Sequence, residues 1–249
     1  MSRTNKGNFN LDTMPDTIKS YLTHSVLSDA SGHSGASTIY IEGDIQAYLK
    51  INGRGKLERE RRMLEFLGQF QLAPQVIAYA SDQEHDYLLT EALPGEDGSS
   101  AYHKDRPDQL AVTFGESLRL LHSLPTEGCP YPNRTEEMLI RESRQNHSPD
   151  VIEKVRNLAV DEVLIHGDYC LPNVMFHQFK LQGFLDVGDG GIGDRHYDLY
   201  WGLWTLTYNL KTDQYHDRFL DAYGRDTIDR ERLEWFTRWM DESRRSSQG

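Results

Sequence analysis

The chain has 249 residues, a formal charge of −12, and 37% hydrophobic and 27% charged residues. That length and apolar content suffice for one large domain or two smaller lobes with a real core. The acidic balance argues against nucleic acid and anionic membranes as partners and is suited to steering a cationic small molecule. No apolar run approaches membrane-spanning length. The polar start, Met1–Asn10, and the two separated cysteines, Cys129 and Cys170, lead to the expectation of a cytoplasmic protein without a disulfide framework or structural zinc.

In chain order, a short helix is predicted over 15–24, leading to a strand at Val26-Leu27. Ser28–Ser37 is a small-residue loop, followed by a strand at Thr38–Ile41, a turn at Gly43-Asp44 and a strand over Ile45–Ile51. Within the loop, Ser34, Gly35 and Ala36 could bring backbone N–H groups close to phosphate oxygens, or could form an ordinary flexible surface loop. Tyr48 and Lys50 alternate with Leu49 and Ile51 and so share one strand face. An aromatic and an ammonium on one face suit a base and its phosphates, and equally an edge strand.

Leu57–Leu67 reads as a helix with apolar residues at 57, 63, 64 and 67. Glu60 falls on that apolar face. A carboxylate there needs a partner, because an unpaired buried charge is costly, and Lys50 is the natural one; the alternative is a rim residue reaching water beside Arg61. Strands are expected at Val76–Ala80 and Tyr87–Glu91, and Leu93-Pro94-Gly95 ends this region. The resulting division is an N-terminal lobe over 1–92, a hinge over 93–100 and a C-terminal lobe over 101–249.

The second lobe opens with a helix over Pro107–Leu124, in which His122 is a packed, hydrogen-bonded histidine. Helices follow at Thr135–Arg144 and Pro149–Leu158 in an acidic region with interleaved basic residues, and later at about 213–223 and 229–241. Between them lies V-L-I-H-G-D-Y-C-L-P-N-V-M-F, 163–176, and then G-F-L-D, 183–186. Val163-Leu164-Ile165 reads as a buried strand, His166-Gly167-Asp168 as a sharp turn, and Val174–Phe176 and Phe184-Leu185 as short strands. Asp168, Asn173 and Asp186 thus sit in loops over a rigid sheet. One carboxylate to accept a hydroxyl proton, with a carboxamide and a second carboxylate to bind Mg²⁺, is the equipment of phosphoryl transfer. Asp198 opens an aromatic helix (Tyr200, Trp201, Trp204) and is expected to hydrogen-bond the 166–168 backbone.

The spacing of Asp168, Asn173 and Asp186 resembles the catalytic and metal loops of protein kinases. H-G-D-Y-C-L-P-N, followed by G-F-L-D-V-G-D-G-G-I-G-D-R-H-Y-D, is similar to the aminoglycoside phosphotransferase family, in particular its 3'-phosphotransferases. The resemblance implies a two-lobed, protein-kinase-like α+β fold, with an antiparallel N-terminal sheet plus a helix and a mainly helical second lobe. It implies transfer of the ATP γ-phosphoryl group to a hydroxyl of an aminoglycoside, giving antibiotic resistance. Asp168 would be catalytic and Asn173 and Asp186 would hold Mg²⁺. Ser34, Gly35, Ala36, Tyr48, Lys50, Glu60, Thr90 and Ala92 would hold the nucleotide, the last two through backbone contacts to adenine. Asp189, Asp241 and Glu242 are the candidate substrate carboxylates. Asp189 stands where these relatives usually carry Arg, and Asp241-Glu242 is followed by Ser-Arg-Arg-Ser-Ser-Gln-Gly in place of their D-E-F-F end. A kinase for an amino-alcohol or sugar, and a nucleotide-binding protein without turnover, are the alternatives.

Overall fold

The computed structural model describes residues 14–32, 35–142 and 148–246. The chain forms two compact units, Met1–Leu93 and Pro94–Gly249.

The first unit is built on a five-stranded antiparallel sheet of β1 (Val26–Asp29), β2 (Ser37–Glu42), β3 (Gln46–Gly53), β4 (Val76–Ser81) and β5 (His85–Glu91), in the order β1-β2-β3-β5-β4. Alternation in β3 decides its two faces. Ala47 and Leu49 are fully buried in a core shared with Ile18 and Leu22 of α1 (Asp16–Leu22) and with Ile39, Ile41 and Leu89. Tyr48 and Lys50 face the other way, with Tyr48 40% exposed and its ring 5.1 Å from Tyr40. A one-residue slip of β3 would exchange these faces, so burial of Leu49 fixes where Lys50 points. Helix α2 (Glu58–Gly68) buries Met63, Leu64, Phe66 and Leu67, and the Leu57 N–H at its start donates to Asp86 Oδ2.

The second unit begins with β6 (Glu96–Asp97), α3 (Ala101–Lys104) and the long α4 (Pro107–His122). Next come α5 (Arg134–Glu142), α6 (Pro149–Leu158), β7 (Val163–Ile165), β8 (Val174–His177), β9 (Lys180–Phe184) and β10 (Gly191–Gly193). The unit ends with α7 (Arg195–Leu210), α8 (His216–Tyr223) and α9 (Arg230–Ser246). One apolar cluster joins Met138 and Leu139 of α5, Ile152 and Val155 of α6, Val163 and Ile165 of β7, Tyr197 and Tyr200 of α7 and Phe236 and Trp239 of α9. α4 packs on α8 at Gly115, where a Cβ would come within 2.4 Å of the Phe219 carbonyl oxygen. Two small sheets carry the loops of interest: β7 pairs with β10, and β8 pairs with both β6 and β9. No helix of the described residues is long and apolar enough to cross a membrane.

The expected α1, α2, α4 and the strands around them form close to their predicted bounds. The predicted strand at Phe184-Leu185 is instead β9, which starts at Lys180 and ends before Leu185. The short β10 has no apolar alternation to announce it, since two of its three residues are glycine.

Candidate active site

The turn that follows β7 is held from below. Asp198, fully buried in the first turn of α7, accepts hydrogen bonds from the His166 N–H at 2.6 Å and the Gly167 N–H at 3.0 Å. These are two backbone donors that a sharp turn leaves without a ladder partner. His122 in α4 braces the same carboxylate, with Nε2 3.2 Å from Asp198 Oδ2 and Nδ1 2.8 Å from the Tyr223 hydroxyl. Burial holds the His122 pKa below its ordinary value despite Asp198. The imidazole is therefore neutral, donating from Nε2 to Asp198 and accepting at Nδ1 from Tyr223. Both residues do what their sequence positions led us to expect.

Gly167 is required by two features at once. Its φ is +82°, and a Cβ there would lie 2.1 Å from the Asp189 carbonyl oxygen. The turn therefore packs backbone to backbone against the loop that contains Asp189.

Asp168 stands partly exposed at the end of this turn. Asn173 Nδ2 donates to its Oδ2 at 2.8 Å and to its carbonyl oxygen at 2.9 Å. The Cys170 thiol donates to its Oδ1 at 3.3 Å. Burial, and then the nearby Asp168 charge, push the Cys170 thiol pKa far up, so it remains a thiol and a donor. Because both acceptors facing Asn173 need N–H groups, its carboxamide is oriented with Nδ2 toward Asp168 and Oδ1 turned away.

The β8–β9 hairpin brings Asp186 to the same place. Val174 pairs with Phe184, and the Leu185 N–H donates to the Asn173 carbonyl at 2.8 Å. Asn173, just before one strand, is thus set beside Leu185-Asp186, just after the other. Asp186 is exposed, in the left-handed region at φ 53°, and Val187 behind it is fully buried. The hairpin thus carries Asp186 on a loop next to the one that carries Asn173 and Asp168.

The Asn173 oxygen and the Asp186 carboxylate are two hard oxygen donors, which fits a Mg²⁺ ion that keeps several waters and takes its other ligands from phosphates. Among the described residues, no group of three or more His, Cys, Asp or Glu could form an all-protein metal cage.

In the first unit, Lys50 Nζ lies 2.9 Å from both Oε1 and Oε2 of Glu60, with side chains 17% and 13% exposed. The pair inferred from a carboxylate on an apolar helix face is formed. Gly35 adopts φ +72° with open space where a Cβ would be, and Ala36 is buried. Ser34 lies outside the described residues. Thr90 pairs with Tyr48 on one side and Val76 on the other. The Ala92 N–H donates to the Gln46 carbonyl at 2.9 Å, so the β3–β5 ladder continues one bond beyond the strand.

The three candidate substrate carboxylates each have a protein partner. Asp189 Oδ1 accepts from Arg134 Nη2 at 2.5 Å and pairs with Arg141 Nη1 at 3.5 Å. Asp241 Oδ1 accepts from the Tyr200 hydroxyl at 2.9 Å, and Glu242 Oε2 accepts from the Ser148 N–H at 3.1 Å. Arg134 was not singled out in the sequence. The one available signal was an Asp directly after D-V-G, which raises the question of which cation balances it.

The chain belongs to the phosphotransferase enzyme family, whose model matches residues 28–236. A probable aminoglycoside 3'-phosphotransferase of Lactococcus lactis subsp. lactis is 36% identical over 243 residues, covering 90% of this chain and 93% of that protein. An aminoglycoside 3'-phosphotransferase of type VIII superposes with a TM-score of 0.72 at 24% identity, covering 90% of this chain and 96% of the other. An aminoglycoside phosphotransferase from Streptomyces rimosus, solved with ADP and streptomycin, has a TM-score of 0.63 at 22% identity and covers 84% and 93%. The fold is that of the kinase-like phosphotransferases, and the protein is a small-molecule kinase of this family.

Proposed function

We propose that the protein transfers the γ-phosphoryl group of ATP to the 3'-hydroxyl of an aminoglycoside. The observation that carries the reading is the pair of hydrogen bonds by which Asn173 grips Asp168. They aim the carboxylate and turn the carboxamide oxygen away from it, where it would be offered to a metal. The name carried by the Lactococcus lactis relative supports the acceptor class, and the ADP bound to the Streptomyces rimosus enzyme supports the nucleotide.

In this reading Asp168 accepts a hydrogen bond from the acceptor hydroxyl, orients its oxygen and takes its proton as the bond to phosphorus forms. Asn173 Oδ1 and the Asp186 carboxylate would hold Mg²⁺, which supplies neutralisation of the triphosphate charge. Lys50, fixed by Glu60, holds phosphate oxygens, and Tyr48 offers its ring to the base. Most of the rate enhancement then comes from positioning and electrostatics, because general-base help alone supplies roughly 10²–10⁴.

The test is release of ADP with a panel of aminoglycosides, amino-alcohols and sugars as acceptors, with Asp168→Ala as control. Turnover with aminoglycosides, lost in the control, supports the reading. Turnover only with another alcohol overturns the acceptor, and no acceptor-dependent turnover overturns the function.

A further inference from the structure

We infer that Arg134 is a positioning residue for the loop that carries Asp186; the inference rests on the reading of Asp186 as a metal ligand. The loop needs an external tether. Asp186 is followed by Gly188, Gly190, Gly191 and Gly193 within seven residues, and glycine carries the largest backbone entropy cost on ordering. β10 fixes the far end, through Gly191 opposite Ile165 and the Ile192 N–H donating to the Tyr131 carbonyl at 2.8 Å. Buried Val187 fixes the near end. Asp189 lies between them.

Arg134, the first residue of α5, fastens that middle point. Its Nε donates to the Asp189 carbonyl at 2.7 Å and its Nη2 to Asp189 Oδ1 at 2.5 Å. Nη1 donates to Glu137 Oε2 at 3.1 Å, which sets the plane of the guanidinium. The side chain is only 6% exposed. A planar fork that binds a backbone and a side-chain oxygen of one residue fixes both position and rotation, which a lysine ammonium does not do. The backbone of Asp189 is also the surface on which Gly167 rests. Arg134 therefore sets the spacing between the turn ending in Asp168 and the turn starting at Asp186, without touching a reacting atom. Oriented outer partners of a metal site act in this way.

The test is calorimetric titration of ADP with and without Mg²⁺, for the wild-type chain, Arg134→Gln, Arg134→Lys and Asp189→Ala, each with its melting temperature. The readout is the gain in ADP affinity that Mg²⁺ confers. Expected is a loss of about 10–100-fold in that gain for Arg134→Gln, unchanged metal-free ADP affinity, no rescue by Arg134→Lys and a smaller loss for Asp189→Ala, which keeps the carbonyl. A folded Arg134→Gln with the wild-type gain overturns the inference, and so does a lower melting temperature with the gain intact. Should Arg134→Gln fail to fold, Asp189→Ala decides, because its carboxylate is 49% exposed; a wild-type gain there overturns the inference. Absence of any Mg²⁺ gain in the wild type removes the metal reading of Asp186 itself, and this inference with it.

Discussion

Asn173 Nδ2 lies 2.8 Å from Asp168 Oδ2 and 2.9 Å from the Asp168 carbonyl oxygen. One side chain thus orients the carboxylate proposed to receive the proton and turns its own oxygen toward the proposed metal. Asp168→Asn keeps the shape but removes the basic oxygen. We expect kcat to fall by about 10²–10⁴ with little change in melting temperature, read by steady-state kinetics and calorimetry. A kcat near wild type would remove Asp168 from the chemistry.

The Cys170 thiol also donates to the Asp168 carboxylate. A hydrogen bond of this kind is worth about 0.5–1.5 kcal/mol, so Cys170→Ala should lower kcat about 2–10-fold at unchanged nucleotide KM. The raised thiol pKa has a second consequence. Cys170 should resist alkylation in the folded protein at pH 8, where an ordinary exposed thiol reacts, and mass spectrometry after iodoacetamide treatment measures this directly.

Lys50 and Glu60 form a two-oxygen pair in a mostly buried setting. Glu60→Gln removes the charge that holds Lys50 and should raise the nucleotide KM about tenfold, equivalent to about 1.4 kcal/mol. Lys50→Met should do at least as much. In the double variant the losses should be far from additive if the two act as one unit, which a double-mutant cycle on KM reads.

His122 gives stability a pH dependence whose sign is fixed. Burial lowers its folded pKa, so the folded protein refuses a proton that the unfolded chain accepts. Stability is complete above the ordinary histidine value of about 6.5 and is lost as pH falls from there through the folded pKa. The melting temperature should drop between pH 7 and pH 5, and His122→Gln should flatten that slope. An equal slope in the variant would place the titration elsewhere.

What could be read from the sequence follows the range of each interaction. The Lys50–Glu60 pair was visible because a carboxylate at helical spacing among Met63, Leu64 and Leu67 demands a counter-charge, and a Lys on the alternate face of a nearby strand supplies it. Asp198 was visible because a carboxylate opening an apolar helix must find donors, and the Gly-containing turn after β7 had donors to give. Arg134 was not visible. Its partner is 55 residues away, and an Arg at a helix start looks like any solvated side chain until the loop glycines fold Asp189 onto it. The bond from the Ala92 N–H to Gln46 was not visible either, because the β3–β5 pairing runs one bond further than the apolar pattern, which stops at the strand. The bonds made by Asp241 and Glu242 were likewise hidden. Their partners, Tyr200 and the Ser148 N–H, come from elements whose approach to the end of α9 no local pattern encodes.

The most direct measurement is the mass of the product when ATP, Mg²⁺ and an aminoglycoside bearing a 3'-hydroxyl are incubated with the protein, beside the same aminoglycoside lacking that hydroxyl. Addition of one phosphoryl group to the first compound only, abolished by Asp168→Ala, is the predicted result. Phosphorylation of both compounds would contradict the 3' assignment, and phosphorylation of neither, with the protein folded and ATP present, would contradict the proposed function.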